Sequence, residues 1–242
     1  MFDLSFDGPV ARLVLNRPEA RNAIPPGGWA ALADLAAQAG EKARMLILGG
    51  VPGGVFCAGA DVAGFDAFRE DPEARTGFRL AVRGALDTLA GLPIPTIALV
   101  EGACYGAGVA LAMACDIRIA GPAALFAITP AKLGISYPQE DVHRLVSLVG
   151  PGQAARLLLG AQSIGADEAI RIGLAELPGD GLDALVAAIL ANDSASLIAL
   201  KRGIRLGAAQ DEAQDRAFDA LLGSDALAER LARYRSRPRN LA

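Results

Sequence analysis

Histidine, cysteine and aromatic residues are scarce in this chain of 242 residues. It contains one histidine, three cysteines and one tryptophan, and aromatic residues make up 5% of it. Protein metal sites are built mainly from histidine, cysteine and carboxylate ligands, and Cys57, Cys104 and Cys115 show no CxxC spacing. We therefore expect no metal site, and we interpret the cysteines as reduced, buried, small apolar residues.

Long apolar runs and dense positive charge are also missing. The opening segment, MFDLSFDGPVARLVLNRPEA, has an acid at position 3 and no apolar run of the length that a signal peptide or membrane span requires. The net charge is -4, and the 23 basic residues are dispersed except for a small cluster near the end. Nucleic acids and anionic lipids bind concentrated basic surfaces. The sequence therefore predicts no nucleic-acid partner, no membrane span and a cytoplasmic location.

Apolar residues, by contrast, are abundant at 52% of the chain, enough for one large domain whose core excludes water. FDLSF and VARLVLN predict a β-hairpin, and the buried strands MLILGG and TIALVEG are each followed by a segment of helical spacing. From residue 181 the sequence is rich in alanine, helical and without strand signal. The pattern predicts an α/β core over residues 1–180 and a helical C-terminal region over 181–242.

Two loops of glycine and alanine share one design. CAGAD, residues 57–61, follows MLILGG, and YGAGVAL, residues 105–111, follows TIALVEG and leads into a helix. Small residues let a ligand approach the main chain, and amides at a helix start carry partial positive charge. Two such loops, if they converge, could form an oxyanion hole of two backbone amides.

Two other interpretations of these loops stay open on residue pattern alone. A dinucleotide site would need the spacing GxGxxG early in the chain, which Gly102, Gly106 and Gly108 do not show. A tight strand-to-helix crossing, packed with small residues and without any ligand, would give the same composition.

Several longer segments, in order, resemble the enoyl-CoA hydratase/isomerase, or crotonase, superfamily. They are LNRPEARNAI, FCAGADVAGF, IPTIALVEGACYGAGVALAMACDIRIA and LGISYPQEDVHRLVSLVGPGQAARLLLG. The resemblance as a whole covers nearly the whole chain. The resemblance implies a crotonase-like α/β spiral of ββα turns with a helical C-terminal trimerisation region. It also implies an acyl-CoA ligand, with coenzyme A entering as part of the thioester and no permanently bound cofactor, and a homotrimer or dimer of trimers.

The resemblance also implies a set of binding residues. The thioester oxygen would accept hydrogen bonds from the backbone amides of Ala60 and Ala107. The segment RPEARNA is similar to the family's coenzyme-binding loop, and ERLARYRSRP is similar to a C-terminal element that meets a neighbouring subunit's coenzyme; a solvated helix end is the alternative for both. The residues implied to bind substrate are Glu19, Ala20, Arg21, Asn22, Ala58, Gly59, Asp61, Val62, Gly106, Tyr234 and Arg237.

The sequence departs from the family's hydratases at both catalytic acids. Hydratases add water with two glutamates, and this chain has Ala110 and Ala131 at the matching positions. Neither alanine can transfer a proton, so the usual hydration by general acid-base catalysis is not available.

Three other residues are candidates for proton transfer. The family's isomerases carry an acid near the position of Pro138, and a shift of alignment would let Glu140 or Asp141 take its place. Acids at a helix start are also favoured without any function. Tyr137 stands where methylmalonyl-CoA decarboxylase, a family member, has the tyrosine of LGVPY, but an aromatic ring closing the acyl pocket would look the same. We interpret the lone histidine, His143, as structural.

Three functions remain compatible with these residues. The first is an acyl-CoA lyase or isomerase that stabilises an enolate and favours isomerisation or decarboxylation over hydration. The second is a weak enoyl-CoA hydratase that uses an atypical acid. The third is an acyl-CoA-binding protein without catalysis.

Overall fold

The structure is a computed structural model that describes residues 1–235, so the predicted site residue Arg237 lies outside the described residues. The chain divides into two compact units, Met1–Val186 and the part from Ala187 onward. The first unit is mixed α/β, and the described part of the second is helical.

Nine strands build two sheets in the first unit. In chain order they are β1 Phe2–Asp7, β2 Val10–Leu15, β3 Met45–Gly50, β4 Thr96–Val100, β5 Ala103–Tyr105, β6 Ile117–Ala120, β7 Leu125–Ala127, β8 Ile164–Gly165 and β9 Leu177–Pro178. The larger sheet has the order β1-β2-β3-β4-β6-β9, and the smaller has the order β5-β7-β8. β1 and β2 are antiparallel with Asp7 opposite Val10, which confirms the predicted hairpin, and the other neighbours in the larger sheet are parallel.

The α-helices are spread over both units. They are α1 Gly28–Lys42, α2 Pro72–Gly91, α3 Ala107–Met113, α4 Gln139–Gly160, α5 Ala166–Ile172, α6 Leu182–Ala191, α7 Ser194–Leu206, α8 Glu212–Leu222 and α9 Asp225–Arg235. The segments EDVHRLVSLVG and PGQAARLLLG, residues 140–160, belong to one element, α4, with a kink at Gly150, where φ is 75°. Pro151 follows the kink and has no backbone N–H to donate to the helix, so it fits a break at this point.

The core lies between the parallel strands and the helices of the first unit. The side chains of Met45, Leu46 and Leu48 in β3 are fully buried, and Trp29 of α1 is buried with them. A strand covered on both faces needs apolar side chains at every position, whereas a strand covered on one face alternates apolar and polar residues. This explains why all four residues of MLIL are apolar. The carboxyl ends of the parallel strands β3 and β4, from which the chain continues toward the two glycine-rich loops, lie at the same end of the sheet.

One short strand, β5, has no signal of its own in the sequence. β5 occupies three residues between the strand TIALV and the second glycine loop, and it pairs in parallel with β7. An element of three residues is too short for an alternation of apolar and polar side chains to identify it. Its consequence for function is that the second loop is held in a sheet just before α3 begins.

The second unit contains α7, α8 and α9. Asp193 and Asp211 cap α7 and α8 by accepting hydrogen bonds from the amides of Ser196 and Gln214. Among the described residues, no single helix is long and apolar enough to cross a membrane, although residues 179–191 and Ser194–Leu206 would reach that length together as a bent pair. The trimerisation expected of the C-terminal region stays a prediction.

Candidate functional site

The two glycine-rich loops lie side by side. The amide of Cys57 donates to the carbonyl of Ala103 at 3.1 Å, and the amide of Tyr105 donates to the carbonyl of Cys57 at 2.8 Å. A Cβ atom on Gly108 would lie 2.5 Å from the Cys57 carbonyl oxygen, so only glycine allows this approach. The two loops therefore converge in the fold.

The amides of Ala60 and Ala107 have no hydrogen-bond acceptor in the described part of the chain. Ile24 pairs with the first loop by donating to the Gly59 carbonyl at 2.8 Å and accepting from the Asp61 amide at 2.9 Å. In this parallel bridge the N–H of Ala60 points to the opposite side. Ala107 is the first residue of α3, a position whose N–H has no partner within a helix. Both residues line one cavity, so two free donors are available to a ligand oxygen.

The cavity has a volume of about 600 Å³ and a largely apolar wall. It is bounded by the first loop, the start of α3, one face of α2 and the segment from residue 129 to residue 141. Its volume is in the usual range for a small-molecule site. The apolar side chains that line it are Val62, Phe65, Phe78, Val82, Leu86, Leu133 and Ile135.

A short helical segment, Val62–Arg69, covers one side of this cavity. The rings of Phe65 and Phe68 in this segment pack against Phe78 of α2, with centroid distances of 5.4 and 5.1 Å. Aromatic contacts of this kind fix the position of the segment over the cavity. Val62 and Phe65 of this segment line the cavity, so the segment shapes the space available to a ligand.

Arg17 and Asp61 hold the first loop in place. Arg17 Nη1 donates to Asp61 Oδ2 at 2.7 Å and to the carbonyl of Ala23 at 3.0 Å. Asp61 also accepts from the amide of Ala63 at 3.1 Å. The hydrogen bond from Arg17, followed by the one from Ala63, keeps the pKa of Asp61 below its usual value. Asp61, implied by the resemblance to bind substrate, is thus engaged in supporting the backbone beside Ala60.

Tyr137 is hydrogen-bonded to the second loop. Its hydroxyl donates to the carbonyl of Gly106 at 3.0 Å, one residue before the free amide of Ala107. Burial, and after it the charge of Asp141, raises the pKa of Tyr137 well above its usual value, so the phenol stays neutral. The tyrosine lines the cavity with Ala110, where the hydratases carry an acid.

Asp141 and Glu140 are adjacent in sequence but differ in environment. Asp141 is 2% exposed, and its Oδ1 lies 3.3 Å from Arg144 Nη1. Burial is the main cause that raises the pKa of Asp141, and Arg144 and Arg83 oppose it in part. The side chain of Glu140 is 54% exposed and lies 3.3 Å from Arg83. Both acids lie in the first turn of α4, where acids are favoured without any function, so that alternative stays open.

The residues predicted to bind the coenzyme lie outside the cavity lining. Asn22 is 4% exposed, and its side chain donates to the carbonyl of Val55 at 2.7 Å and accepts from the Arg17 amide at 2.8 Å. Its amide group therefore supports the loop. Ala20 and Arg21 lie in the adjoining turn, and Arg21 has a positive φ of 51°. A coenzyme role for these residues stays a prediction.

The remaining predicted positions are spread over the described chain. Tyr234 belongs to α9 and is 74% exposed. Ala131 lies in an exposed turn, and His143 is exposed one turn inside α4. Within residues 1–235, no group of three or more histidine, cysteine, aspartate or glutamate residues is arranged to hold a metal ion.

Two cavity residues were missed from the sequence. Arg79 and Arg83 of α2 both line the cavity beside its apolar residues. Their spacing of four residues puts them on one face of a helix, which is a signal the sequence does carry. The sequence does not reveal which face of α2 meets the cavity, so this spacing is equally typical of ordinary surface charges.

A methyl group at Gly59 should disturb the pair of amides directly. Gly59 has a φ of +102°, and an added Cβ would lie 2.8 Å from the Tyr105 carbonyl oxygen and 3.1 Å from the Ala107 nitrogen. We expect Gly59→Ala to lower the free energy of unfolding by about 1–3 kcal/mol and to weaken thioester binding. Urea unfolding and calorimetric titration with butyryl-CoA measure the two effects.

Gly53→Ala is the matched control. Gly53 also has a positive φ, +71°, but an added Cβ would meet no atom within 4 Å. It should lose stability through backbone strain, by about 1–2 kcal/mol, while thioester binding stays as in the wild type. Equal binding by the Gly59→Ala protein and the wild type would contradict the role assigned to this close approach.

Known proteins resemble this chain in both sequence and fold. The model of the enoyl-CoA hydratase/isomerase family matches residues 5–226. The protein called probable enoyl-CoA hydratase echA6 of Mycobacterium bovis is 37% identical over 176 residues, which are 72% of this chain and 69% of that protein. The mitochondrial enoyl-CoA hydratase domain-containing protein 2 of Homo sapiens is 32% identical over 171 residues, 69% of this chain and 58% of that protein.

Two crystal structures extend the similarity to nearly the whole chain. An enoyl-CoA hydratase/isomerase family protein from Hyphomonas neptunium superimposes with a TM-score of 0.89 at 35% identity, covering 98% of this chain and 95% of the other. An enoyl-CoA hydratase/carnithine racemase from Magnetospirillum magneticum gives a TM-score of 0.89 at 30% identity, with 97% and 92% covered. The predicted mixed α/β fold with a helical C-terminal region is confirmed, and the chain belongs to the enoyl-CoA hydratase/isomerase family.

Proposed function

We propose that this protein binds an acyl-CoA thioester and catalyses a proton transfer of the isomerase type on its enolate. The observation that carries the proposal is Asp141, a buried carboxyl group of raised pKa that lines the same cavity as two backbone amides without acceptors. Perturbed carboxyl groups in apolar cavities are the usual candidates for general acid-base catalysis.

The amides of Ala60 and Ala107 would hold the thioester oxygen. When a base removes the proton at C2 of a 3-enoyl thioester, the C–H electron pair moves into the bond to C1 and negative charge develops on that oxygen. Two preorganised donors stabilise the charge where it forms, and loss of one such donor typically costs about 2.7–4 kcal/mol of barrier.

Asp141 would move the proton between two carbons. Its carboxylate takes the proton from C2, and the neutral carboxyl returns it to C4 as the double bond shifts from C3–C4 to C2–C3. One group that acts first as base and then as acid is sufficient, and no water is added. Hydration would instead need two acids, and Ala110 and Ala131 cannot supply them.

A second candidate function is acyl-CoA binding without catalysis. It is favoured by Tyr137, whose hydroxyl is committed to the Gly106 carbonyl, and by Ala110, which leaves an apolar surface where the hydratases carry an acid. Under this alternative the free amides bind the thioester but no group transfers a proton.

A substrate panel separates these functions. Purified protein is incubated with 3-hexenoyl-CoA, crotonyl-CoA and methylmalonyl-CoA, the products are identified by mass spectrometry and chromatography, and coenzyme A binding is measured by calorimetry. We expect conversion of 3-hexenoyl-CoA to the 2-enoyl thioester. Conversion of methylmalonyl-CoA alone would replace isomerisation by decarboxylation. Robust hydration of crotonyl-CoA would contradict the importance of the two alanines, and binding without turnover would establish the second candidate.

The proposal includes a homotrimer or dimer of trimers in the cytoplasm, as the resemblance implies. Light scattering coupled to size-exclusion chromatography measures the assembly, and a monomer at micromolar concentration would contradict it.

A further inference from the structure

The cavity is apolar over most of its wall, but the face of α2 adds two guanidinium groups. Arg79 and Arg83 lie one helical turn apart and both line the cavity. An unsubstituted alkyl or alkenyl chain gains nothing from a cation, and burying a charged group against it costs free energy. Arg79 is exposed, the side chain of Arg83 is 32% exposed, and Glu140 and Asp141 line the same cavity. Two arginines in the wall of this mostly apolar pocket point to a ligand with a polar or anionic group.

Arg83 keeps donor capacity that its neighbours do not use. Its Nε donates to Asp87 Oδ2 at 2.6 Å. Its Nη1 is buried and lies 3.3 Å from Glu140 Oε2, yet within the described chain this atom makes no hydrogen bond. A guanidinium group has five N–H donors in a planar arrangement, so Arg83 can still pair with a carboxylate in the cavity.

Arg79 has no protein partner at all in residues 1–235. The neighbouring charges are already paired with one another, since Asp87 contacts Arg83 and Arg144, and Asp141 contacts Arg144. Arg79 is the cation in this group for which no carboxylate remains. A second anion placed near Arg79 and Arg83 would therefore meet one free and one partly used guanidinium group.

The position of the two arginines suits the acyl end of the ligand. The cavity is lined by α2 and by residues 129–141, and none of the described residues 19–22, which the family resemblance assigns to the coenzyme, lines it. Those residues adjoin the first loop, since the Ala58 amide donates to the Arg21 carbonyl and Ile24 pairs with Ala60. A thioester held by the Ala60 and Ala107 amides would direct its acyl chain toward α2.

We propose that the acyl group carries a carboxylate at its far end, so that the substrate is the monothioester of a dicarboxylic acid, bound by Arg79 and Arg83. This inference rests on the proposed function, because it specifies the substrate class of the same cavity. A charge-assisted pair of this kind contributes about 1.5–3 kcal/mol, which corresponds to about a 10- to 150-fold change in affinity.

The test compares acyl groups of equal length with and without the terminal carboxylate. Calorimetry gives the dissociation constants of succinyl-, glutaryl- and adipoyl-CoA, of butyryl-, valeryl- and hexanoyl-CoA, and of coenzyme A alone. For at least one length we expect the dicarboxylic thioester to bind about tenfold or more tightly than its neutral partner. In Arg79→Gln and Arg83→Gln this ratio should fall toward one, and in the control Arg171→Gln, an exposed arginine outside the cavity, it should remain.

Each other result overturns a defined part of the proposal. Equal affinity for charged and neutral thioesters at all three lengths would overturn the carboxylate preference and leave the proposed function intact. If Arg79→Gln weakens coenzyme A and every thioester alike, the arginine binds coenzyme phosphates instead of the acyl group. Failure of the folded wild-type protein to bind coenzyme A or any thioester would overturn the proposed function itself. Circular dichroism confirms that each variant is folded before its affinity is compared.

Discussion

Replacement of Ala107 by proline should reduce turnover by about 100- to 1,000-fold and leave the fold intact. Proline has no N–H, so the change removes one of the two free donors in the cavity, a loss that typically costs about 2.7–4 kcal/mol of barrier. Ala107 is the first residue of α3, where proline is well tolerated because this N–H has no helical partner. The residue before it, Gly106, has no Cβ to clash with the proline ring. The measurement is kcat/KM for the thioester that the substrate panel identifies.

The matched control for this change is Glu212→Pro. Glu212 is the first residue of α8 and its side chain is 92% exposed, so the same amide is lost at the same helical position outside the cavity. We expect turnover close to that of the wild type in this variant, and thermal unfolding of both variants shows whether the fold is kept. If Ala107→Pro is folded and retains full activity, the Ala107 amide is not an oxyanion donor.

Much of the fold and half of the candidate site could be predicted from the sequence because those features are local. MLILGG and TIALVEG are apolar runs closed by glycines, so strand and loop follow directly from the residue pattern. The free amide of Ala107 is a consequence of its place at the start of α3, and the segment that begins that helix is visible in the sequence. The close approach of Gly108 to Cys57 likewise explains why glycine is found there.

The rest of the candidate site depends on which faces of the helices and loops pack against one another in the fold. Glu140 and Asp141 have similar chemistry and adjacent positions, and only the packing of α4 decides that Asp141 is buried while Glu140 is largely exposed. The contact of Arg17 with Asp61 joins residues 44 positions apart and has no periodic signal. Arg79 and Arg83 become cavity residues because of the face that α2 presents, which the spacing alone does not reveal. Side-chain environment therefore has to come from the structure.

Asp141→Asn should reduce turnover by about 100- to 10,000-fold, the usual contribution of a positioned general acid or base. Asparagine has nearly the same shape but cannot accept and return a proton. In the wild type, kcat/KM should rise with pH through the raised pKa of Asp141, because the reaction starts from the carboxylate. This limb of the pH profile should be absent from the residual activity of the variant. Asp167→Asn, the same substitution at an exposed position in the first turn of α5, is the control.

The stability of the Asp141→Asn protein distinguishes a catalytic carboxyl group from a structural one. Because the pKa of Asp141 is raised on folding, the folded state binds the proton more tightly than the unfolded chain does. The contribution of the Asp141 proton to the stability of the folded state is complete below the unfolded pKa of about 3.9, and it is lost as the pH rises through the folded pKa. The ionised carboxylate of Asp141 therefore lowers the free energy of unfolding at neutral pH. The variant should consequently be as stable as the wild type near pH 7, or more so, despite its loss of activity. Marked destabilisation at pH 7, or loss of activity in Glu140→Gln with full activity in Asp141→Asn, would contradict the role of Asp141.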